Sequence, residues 1–345
     1  MTALTDQVRS SLDELARSMI GPFAFCGIAV AHNGDRHYAI AQQPFLDADT
    51  ESMFRVASVS KIVVGQAVSR LLATHGLGWD HEVSDLLGWT LRNPAYPDVP
   101  ISIGAVASHS AGLDDGQGYL VPADDTLPQF FSTNRFSQHR PGVYFAYSNL
   151  GYVVLAAVIE RLSGQDFAHA VASLIPDGGG YNWAGVARAR VASCLPTFRR
   201  DGSEFVAQID DPARVADGAD SVAHYAPQGG LRLSLKGMLG LAEWLEQADR
   251  TVLWRQADSP GDYLDGVFGD YGAGLQIFDA PTFYPRPLVG HFGNAYGFRG
   301  GAWHDATAGL SFAFALNGLA VGEEDDNFSI QERIMFDAFA HMGGE

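Results

Sequence analysis

Strand-like segments lie near both ends of the chain, and this placement most constrains the fold. Residues 23–31 and 36–43 are apolar and rich in strand-forming types, and His-Asn-Gly-Asp separates them. Asn-Gly between two such runs predicts a β-hairpin with a two-residue turn. Similar runs with Gly-bearing turns follow near the C-terminus, in residues 271–278, 287–292, 298–305 and 310–318. Because strands from both ends of a chain usually join one antiparallel sheet, we predict a single sheet.

Helical patterns surround and separate these strands. Apolar residues recur at helical spacing in residues 4–19, which predicts an amphipathic helix packed on the body of the protein. Further helices are predicted for residues 58–75, 148–163, 237–248 and 329–342, with Gly76 and Gly164 ending two of them. We therefore predict an α+β fold, in which helices flank an antiparallel β-sheet and a helical subdomain is inserted.

The predicted domain organisation is one catalytic unit over residues 1–345. Residues 1–76 and 231–345 are expected to form the sheet subdomain, and residues 77–230, broken by Gly, Pro and Asp clusters, a mainly helical insert. A site between two such parts is the default expectation.

The charge of the chain narrows its partners. It has 22 basic and 40 acidic residues and a formal net charge of −18. Such a surface repels phosphate backbones and anionic lipids, so neither nucleic acid nor membrane is an expected partner. No stretch reaches the roughly 20 apolar residues of a membrane span, and the first 21 residues lack the apolar core of a signal peptide. We expect a cytoplasmic protein, provided that Met1 is the natural start; the sequence leaves the oligomeric state open.

The tetrad Ser58-Val59-Ser60-Lys61 opens a strongly apolar helix. Residues three apart on a helix share one face, so Lys61 can reach the Ser58 hydroxyl. Burial lowers the pKa of a lysine and turns it into a base, while backbone N–H groups at a helix N-terminus favour an oxyanion. Ser58 is thus a candidate nucleophile with Lys61 as its activator. The structural alternative is a capping serine beside a lysine that reaches solvent.

Two later motifs could complete this site. Tyr147-Ser148-Asn149 precedes a helix, where the phenol could shuttle a proton and the Asn149 amide could bind a substrate amide. His291-Phe292-Gly293 lies within a predicted strand. Gly293 allows a substrate to approach the strand edge, and the N–H of Asn294 could be a second oxyanion donor beside that of Ser58. The alternative for Tyr147 is an aromatic core residue followed by a helix cap.

The motifs SVSK, YSN and HFG, in this order, resemble those of the serine β-lactamase and penicillin-binding protein superfamily, in its class C β-lactamase-like branch. That branch includes esterases, D-aminopeptidases and amidases. The flanking segments SHSAGL (residues 108–113) and QGGL (residues 228–231) are also similar to it. The resemblance implies an acyl-enzyme on Ser58, with Lys61 and Tyr147 as the acid/base pair and no cofactor or metal. It leaves open which of the two takes the first proton.

The sequence departs from that pattern at two positions. His291 replaces the lysine of true β-lactamases, and Phe292 stands where a Thr or Ser binds the substrate carboxylate. Because a hydroxyl and a fixed charge are missing, we expect weak recognition of a free carboxylate and cleavage of a small ester, amide or peptide. Alternatives are a true β-lactamase or D-Ala-D-Ala carboxypeptidase, and a non-catalytic penicillin-binding sensor of the same fold.

Two rival sites have little support. Ser110, in Ser-His-Ser-Ala-Gly, lacks the first glycine of a nucleophile elbow and follows no strand pattern. The 11 histidines are scattered, with no pair at metal-ligand spacing, so we expect no metal.

Overall fold

The computed structural model describes residues 4–122, 124–174, 182–183, 194–208, 227–323 and 327–342. Within these ranges the α-helices are α1 (Asp6–Met19), α2 (Ser60–His75), α3 (Val83–Leu87), α4 (Ile103–Ala107), α5 (Leu127–Phe131), α6 (Leu150–Ser163), α7 (Phe167–Leu174), α8 (Leu235–Trp244) and α9 (Ile330–Met342). The strands are β1 (Phe25–His32), β2 (Asp35–Gln42), β3 (Phe54–Arg55), β4 (Asn182–Trp183), β5 (Thr197–Asp201), β6 (Glu204–Gln208), β7 (Leu231–Leu233), β8 (Asp270–Tyr271), β9 (Gln276–Phe278), β10 (Leu288–Ala295), β11 (Phe298–Asp305), β12 (Leu310–Asn317) and β13 (Leu319–Ala320).

One antiparallel sheet joins the two ends of the chain, as predicted. Its order is β2-β1-β12-β11-β10-β9-β8, with β1 paired to β12 from Phe25 opposite Asn317 to His32 opposite Leu310. The predicted hairpin is confirmed, since His32 pairs with Asp35 and leaves a two-residue turn. Asn33 and Gly34 in that turn have φ of 53° and 82°, and positive values at both positions are what a type I′ turn needs.

The sheet is covered on both faces, and the alternation along β1 shows how. Ile28 and Val30 belong to one buried cluster with residues of α1 and α9. Ala29 and Ala31 point the other way and pack against Leu235 and Leu239 of α8, which is also the side of the sheet where α2 and α6 lie. Because side chains alternate along a strand, one strand contributes to both layers. The fold class is therefore the predicted helix-covered sheet.

The helix boundaries match the sequence pattern closely but differ at the candidate nucleophile. The helix expected from residue 58 is an α-helix only from Ser60 onwards, and a 3₁₀ turn over Ala57–Val59 carries Ser58. Gly76 and Gly164 end α2 and α6 with φ of 68° each, the left-handed conformation that glycine adopts most easily. Ser58 consequently sits on a tight turn that the helical period did not reveal.

Strands within residues 77–230 were not anticipated. The pattern there predicted helical patches, and α3 to α7 are such helices, but β5 and β6 form a hairpin. β5 also runs parallel to β13 from the C-terminal part of the chain. A pair of short, partly exposed strands has too few residues for a clear period, which is why this hairpin escaped prediction. The proposed subdomain boundaries stay a prediction. No helix in the described ranges has both the length and the apolar character needed to cross a membrane.

Candidate active site

The turn that carries Ser58 is held in a strained conformation. Ala57 has a φ of 47°, a left-handed value that costs a non-glycine residue about 1–3 kcal/mol. Ser60 holds the turn in place, since its Oγ donates to the Ala57 carbonyl at 2.6 Å and accepts from the Leu231 N–H at 3.1 Å. The strain therefore lies directly before the candidate nucleophile.

Lys61 is fully buried, and its Nζ lies against three oxygen acceptors. It donates to Ser58 Oγ at 3.0 Å, to Asn149 Oδ1 at 2.8 Å and to the Gln228 carbonyl at 2.8 Å. Burial lowers the pKa of Lys61 to about 7, and the negative charge of Asp115 opposes this shift. Near neutral pH a large fraction of Lys61 is thus unprotonated, and in that form its two N–H groups donate to Asn149 and Gln228 while its lone pair accepts from the Ser58 hydroxyl.

Tyr147 contacts the same pair from the other side. Burial raises the pKa of Tyr147 well above its usual value, and a hydrogen bond with Ser58 opposes this shift. Lys61 Nζ lies 4.8 Å from the centre of the Tyr147 ring. The phenol therefore stays protonated at neutral pH, next to both Ser58 and Lys61.

Aromatic neighbours fix the Tyr147 ring. The His109 and Tyr147 rings lie 4.3 Å apart, and the Phe268 ring stacks on Tyr147 at 4.9 Å. His109 is buried, and its Nδ1 accepts from the Ser148 N–H at 3.0 Å. Burial lowers the pKa of His109 well below its usual value, so the ring is neutral. His109 belongs to the SHSAGL segment, and the sequence suggested no role for this histidine itself.

Asp115 is a second residue that sequence reasoning missed. Its carboxylate accepts from the backbone N–H of Asn149 at 2.7 Å, from Asn149 Nδ2 at 2.9 Å and from Ser148 Oγ at 2.8 Å. It also accepts from the Leu150 N–H at 3.2 Å and so caps the N-terminus of α6. Since Nδ2 faces the carboxylate, the Asn149 carbonyl oxygen is directed towards Lys61. No local pattern marks Asp115, because its partners lie 33 to 35 residues further along the chain.

His291 is buried in β10, and its two ring nitrogens are both engaged. Nδ1 faces the Phe292 carbonyl and donates to it, so Nε2 accepts from the Tyr271 hydroxyl at 2.7 Å. Burial, followed by the charge of Lys61, lowers the pKa of His291 to about 3. His291 is consequently a neutral group at this site and supplies no positive charge. Tyr271, on β8, was not singled out from the sequence.

Gly293 lies where two backbone segments approach each other closely. A Cβ at this position would lie 2.5 Å from the Val56 carbonyl oxygen. The absence of a side chain thus lets β10 pack against the chain that leads into the Ser58 turn, which brings His291 and Ser58 together.

A cavity of about 410 Å³ lies in front of these groups. Ser58, Tyr147, His291 and Asn294 line it, so it brings together candidate residues from three distant parts of the sequence. Lys61 and Asn149 lie behind this lining and reach it through the hydrogen bond to Ser58.

The charged residues that line the cavity, among those the structure describes, are Asp262 and Glu332, with no lysine or arginine. Phe292 also lines it, and its ring packs on Trp303 at 4.6 Å. Ser110 is 2 % exposed, and its hydroxyl is hydrogen-bonded to that of Ser108, so it is not accessible to a substrate.

The profile of the family described as Beta-lactamase matches residues 24–333 of this chain. D-aminopeptidase of Brucella anthropi is 26% identical over 206 residues, which are 59% of this chain and 37% of that protein. The chain thus spans little more than a third of the length of this relative.

Two solved structures resemble the fold. The D-amino acid amidase of Ochrobactrum anthropi SV3, complexed with L-phenylalanine amide, has a TM-score of 0.73 at 17% identity, over 98% of this chain and 97% of that one. EstCE1, described as a hydrolase with promiscuous acyltransferase activity, has a TM-score of 0.73 at 19% identity, over 97% and 98% of the two chains. At such identities the likeness concerns the fold.

Proposed function

The chain belongs to the beta-lactamase family, and we propose that it is a serine hydrolase that cleaves a small ester or amide through an acyl-enzyme on Ser58. The observation that carries this proposal is the 3.0 Å contact between the buried Lys61 Nζ and Ser58 Oγ. A lysine with a pKa of about 7 has both the position and the basicity to accept the serine proton at neutral pH.

In the acylation step that we propose, Ser58 Oγ attacks the carbonyl carbon and its proton passes to Lys61 Nζ. The negative charge on the carbonyl oxygen faces the backbone N–H groups of Ser58 and Asn294. Tyr147, which is protonated at neutral pH, donates its proton to the departing alcohol or amine. The Lys61 ammonium then returns a proton to the phenolate, and the C–O or C–N bond to the leaving group is broken.

Deacylation uses the same groups in reverse roles. A water molecule takes the place of the leaving group and attacks the carbonyl carbon of the Ser58 ester. The proton that this water loses passes through the Lys61 and Tyr147 pair. The second tetrahedral intermediate collapses to a free acid, and Ser58 recovers its proton. Asn149, held by Asp115, keeps the Lys61 side chain in line with Ser58.

The cavity favours substrates without a free carboxylate. Its described lining has no lysine or arginine, and His291 is neutral. A β-lactam or a D-Ala-D-Ala peptide would bring a carboxylate to this lining without a cation to pair with it. The names of the relatives, a D-aminopeptidase, a D-amino acid amidase and a hydrolase with acyltransferase activity, support amide and ester substrates.

The proposal is tested by covalent labelling and intact-mass measurement. We expect a fluorophosphonate to add once, on Ser58, and 4-nitrophenyl esters to be turned over. Ser58→Ala should abolish both, and Lys61→Ala should slow both strongly. Lys236→Ala is the matched control, because Lys236 is exposed and paired with Glu51 at 2.7 Å. Absence of an adduct and of ester turnover in the wild-type protein would show that it is not a serine hydrolase.

A further inference from the structure

The loop over residues 260–268 is tied to the strand-like segment that leads to Tyr147. The Phe145 N–H donates to the Pro260 carbonyl at 3.0 Å, and the Asp262 N–H donates to the Phe145 carbonyl at 2.9 Å. A Cβ on Gly261 would lie 2.5 Å from Phe145 Cβ, so a glycine is needed for this close approach. These contacts therefore hold the loop backbone against Phe145, which lies two residues before the candidate acid/base Tyr147.

Leu264 and Asp265 in this loop have φ of 46° and 55°. Two consecutive non-glycine residues in the left-handed region are strained, and such strain persists where the surroundings hold the backbone in place. Leu264, Val267 and Phe268 then present apolar groups to the cavity beside Ser58. The loop thus forms one wall of the cavity, and the surface that it presents there is apolar.

Asp262 is the one described charge on the cavity wall that no described residue neutralises. The other carboxylate, that of Glu332, is buried and paired with Arg299 at 3.0 Å. Asp262 is exposed, and its Oδ1 accepts only from the Leu264 N–H, at 3.3 Å. In the described ranges it makes no ion pair, and His291, which also lines the cavity, is neutral. The cavity therefore combines apolar walls with one carboxylate ready to accept a cation.

We propose that Asp262 binds the protonated amine of the substrate, so that the preferred substrates are esters or amides of amino acids with an apolar side chain. This rests on the proposed hydrolase function and assigns its substrate class. The amine pairs with the Asp262 carboxylate, the apolar side chain lies against the wall of Leu264, Val267 and Phe268, and the carbonyl carbon faces Ser58. The net charge of −18 adds long-range attraction for such a cation.

The test compares two substrates that differ only in the amine: the ethyl esters of phenylalanine, in D and L forms, and of 3-phenylpropanoic acid. The acid product is quantified by chromatography, and the measured quantity is the ratio of kcat/KM for the amino ester to that for its amine-free analogue. Asp262→Asn keeps the shape and the Leu264 contact but removes the charge. Asp265→Asn is the matched control, because it removes a charge three residues away that lines a different cavity.

We expect the wild-type ratio to exceed about 10 for at least one enantiomer, on the scale of a charged hydrogen bond. Asp262→Asn should lower the ratio about 10-fold or more, whereas Asp265→Asn should leave it within about 2-fold. An unchanged ratio in Asp262→Asn, or equal ratios in both variants, overturns the proposal. Fluorophosphonate labelling of Ser58 in the same samples tests the hydrolase function separately from amine recognition. If labelling is intact and the ratio is flat, amine recognition fails and the hydrolase stands.

Discussion

Lys61 donates from Nζ to the Asn149 carbonyl oxygen at 2.8 Å. Through Lys61 and Asn149, this bond connects the candidate nucleophile Ser58 to the carboxylate of Asp115, which does not contact Ser58 itself. Asp115 fixes the orientation of the Asn149 side chain, because Asn149 Nδ2 donates to the Asp115 carboxylate. The Asn149 carbonyl oxygen is therefore directed towards Lys61. The ammonium also faces Ser58 and the Gln228 carbonyl, which fixes its position. Burial lowers the pKa of this amine, and the three oxygen atoms around Nζ define the direction of proton transfer.

The first prediction concerns pH. Because burial lowers the pKa of Lys61 to about 7, its neutral, proton-accepting form grows as pH rises through that value. We expect kcat/KM for a 4-nitrophenyl ester to rise about tenfold per pH unit below the midpoint and to level off above it. The profile is measured from pH 5 to 9 against a Ser58→Ala background. A flat profile, or a rise that continues to pH 9 without levelling off, as a lysine with the usual pKa of about 10.4 would give, would contradict this role.

The second prediction concerns Asp115. Asp115→Asn removes the charge that fixes the Asn149 amide and that opposes the lowering of the Lys61 pKa. We expect kcat/KM to fall about 10- to 100-fold and the acidic limb of the pH profile to move to lower pH. Asp114→Asn is the control, since Asp114 is exposed and its side chain accepts from the Gly116 N–H at 2.9 Å, a bond that an asparagine can also accept. If activity falls but the acidic limb of the pH profile does not move, Asp115 acts only as a structural cap of α6.

The third prediction concerns the substrate carboxylate. No lysine or arginine belongs to the described cavity lining, and the residue after His291 is Phe292, whose ring packs on Trp303 and carries no hydroxyl that could bind a carboxylate. We expect 4-nitrophenyl esters to be cleaved far faster than the carboxylate-bearing β-lactam nitrocefin. Both are followed by absorbance, with Ser58→Ala as the blank. Comparable kcat/KM values for the two substrates would refute this selectivity.

The fourth prediction concerns stability. Arg299 and Glu332 form a buried ion pair at 3.0 Å, and Glu332 also accepts from the Ser329 N–H at the start of α9. Glu332→Ala leaves a buried guanidinium without its carboxylate, so the free energy of unfolding should fall by about 3–5 kcal/mol. Glu51→Ala breaks the exposed pair with Lys236, which solvent screens, and should cost far less. Urea denaturation measures both, and equal losses would show that burial does not control the cost.

Much of the fold could be predicted because its signals are local. The Asn33-Gly34 turn, the terminal glycines of α2 and α6, and the alternation of β1 all act within a few residues of chain. The 3₁₀ turn at Ser58 and the β5–β6 hairpin escaped prediction because a three-residue turn and a pair of short strands leave no period to detect.

By itself the sequence identified the candidate side chains for the chemistry, since Ser58 and Lys61 are three residues apart and Tyr147 and His291 occur in ordered motifs. Only the tertiary structure decided their chemical state. The burial that lowers the pKa of Lys61, the carboxylate of Asp115 behind Asn149, and the burial and Lys61 charge that keep His291 neutral all come from residues distant in sequence. Asp262 likewise gained its place through a backbone contact with Phe145. Periodicity records local geometry, whereas a pKa depends on every group that folding brings near.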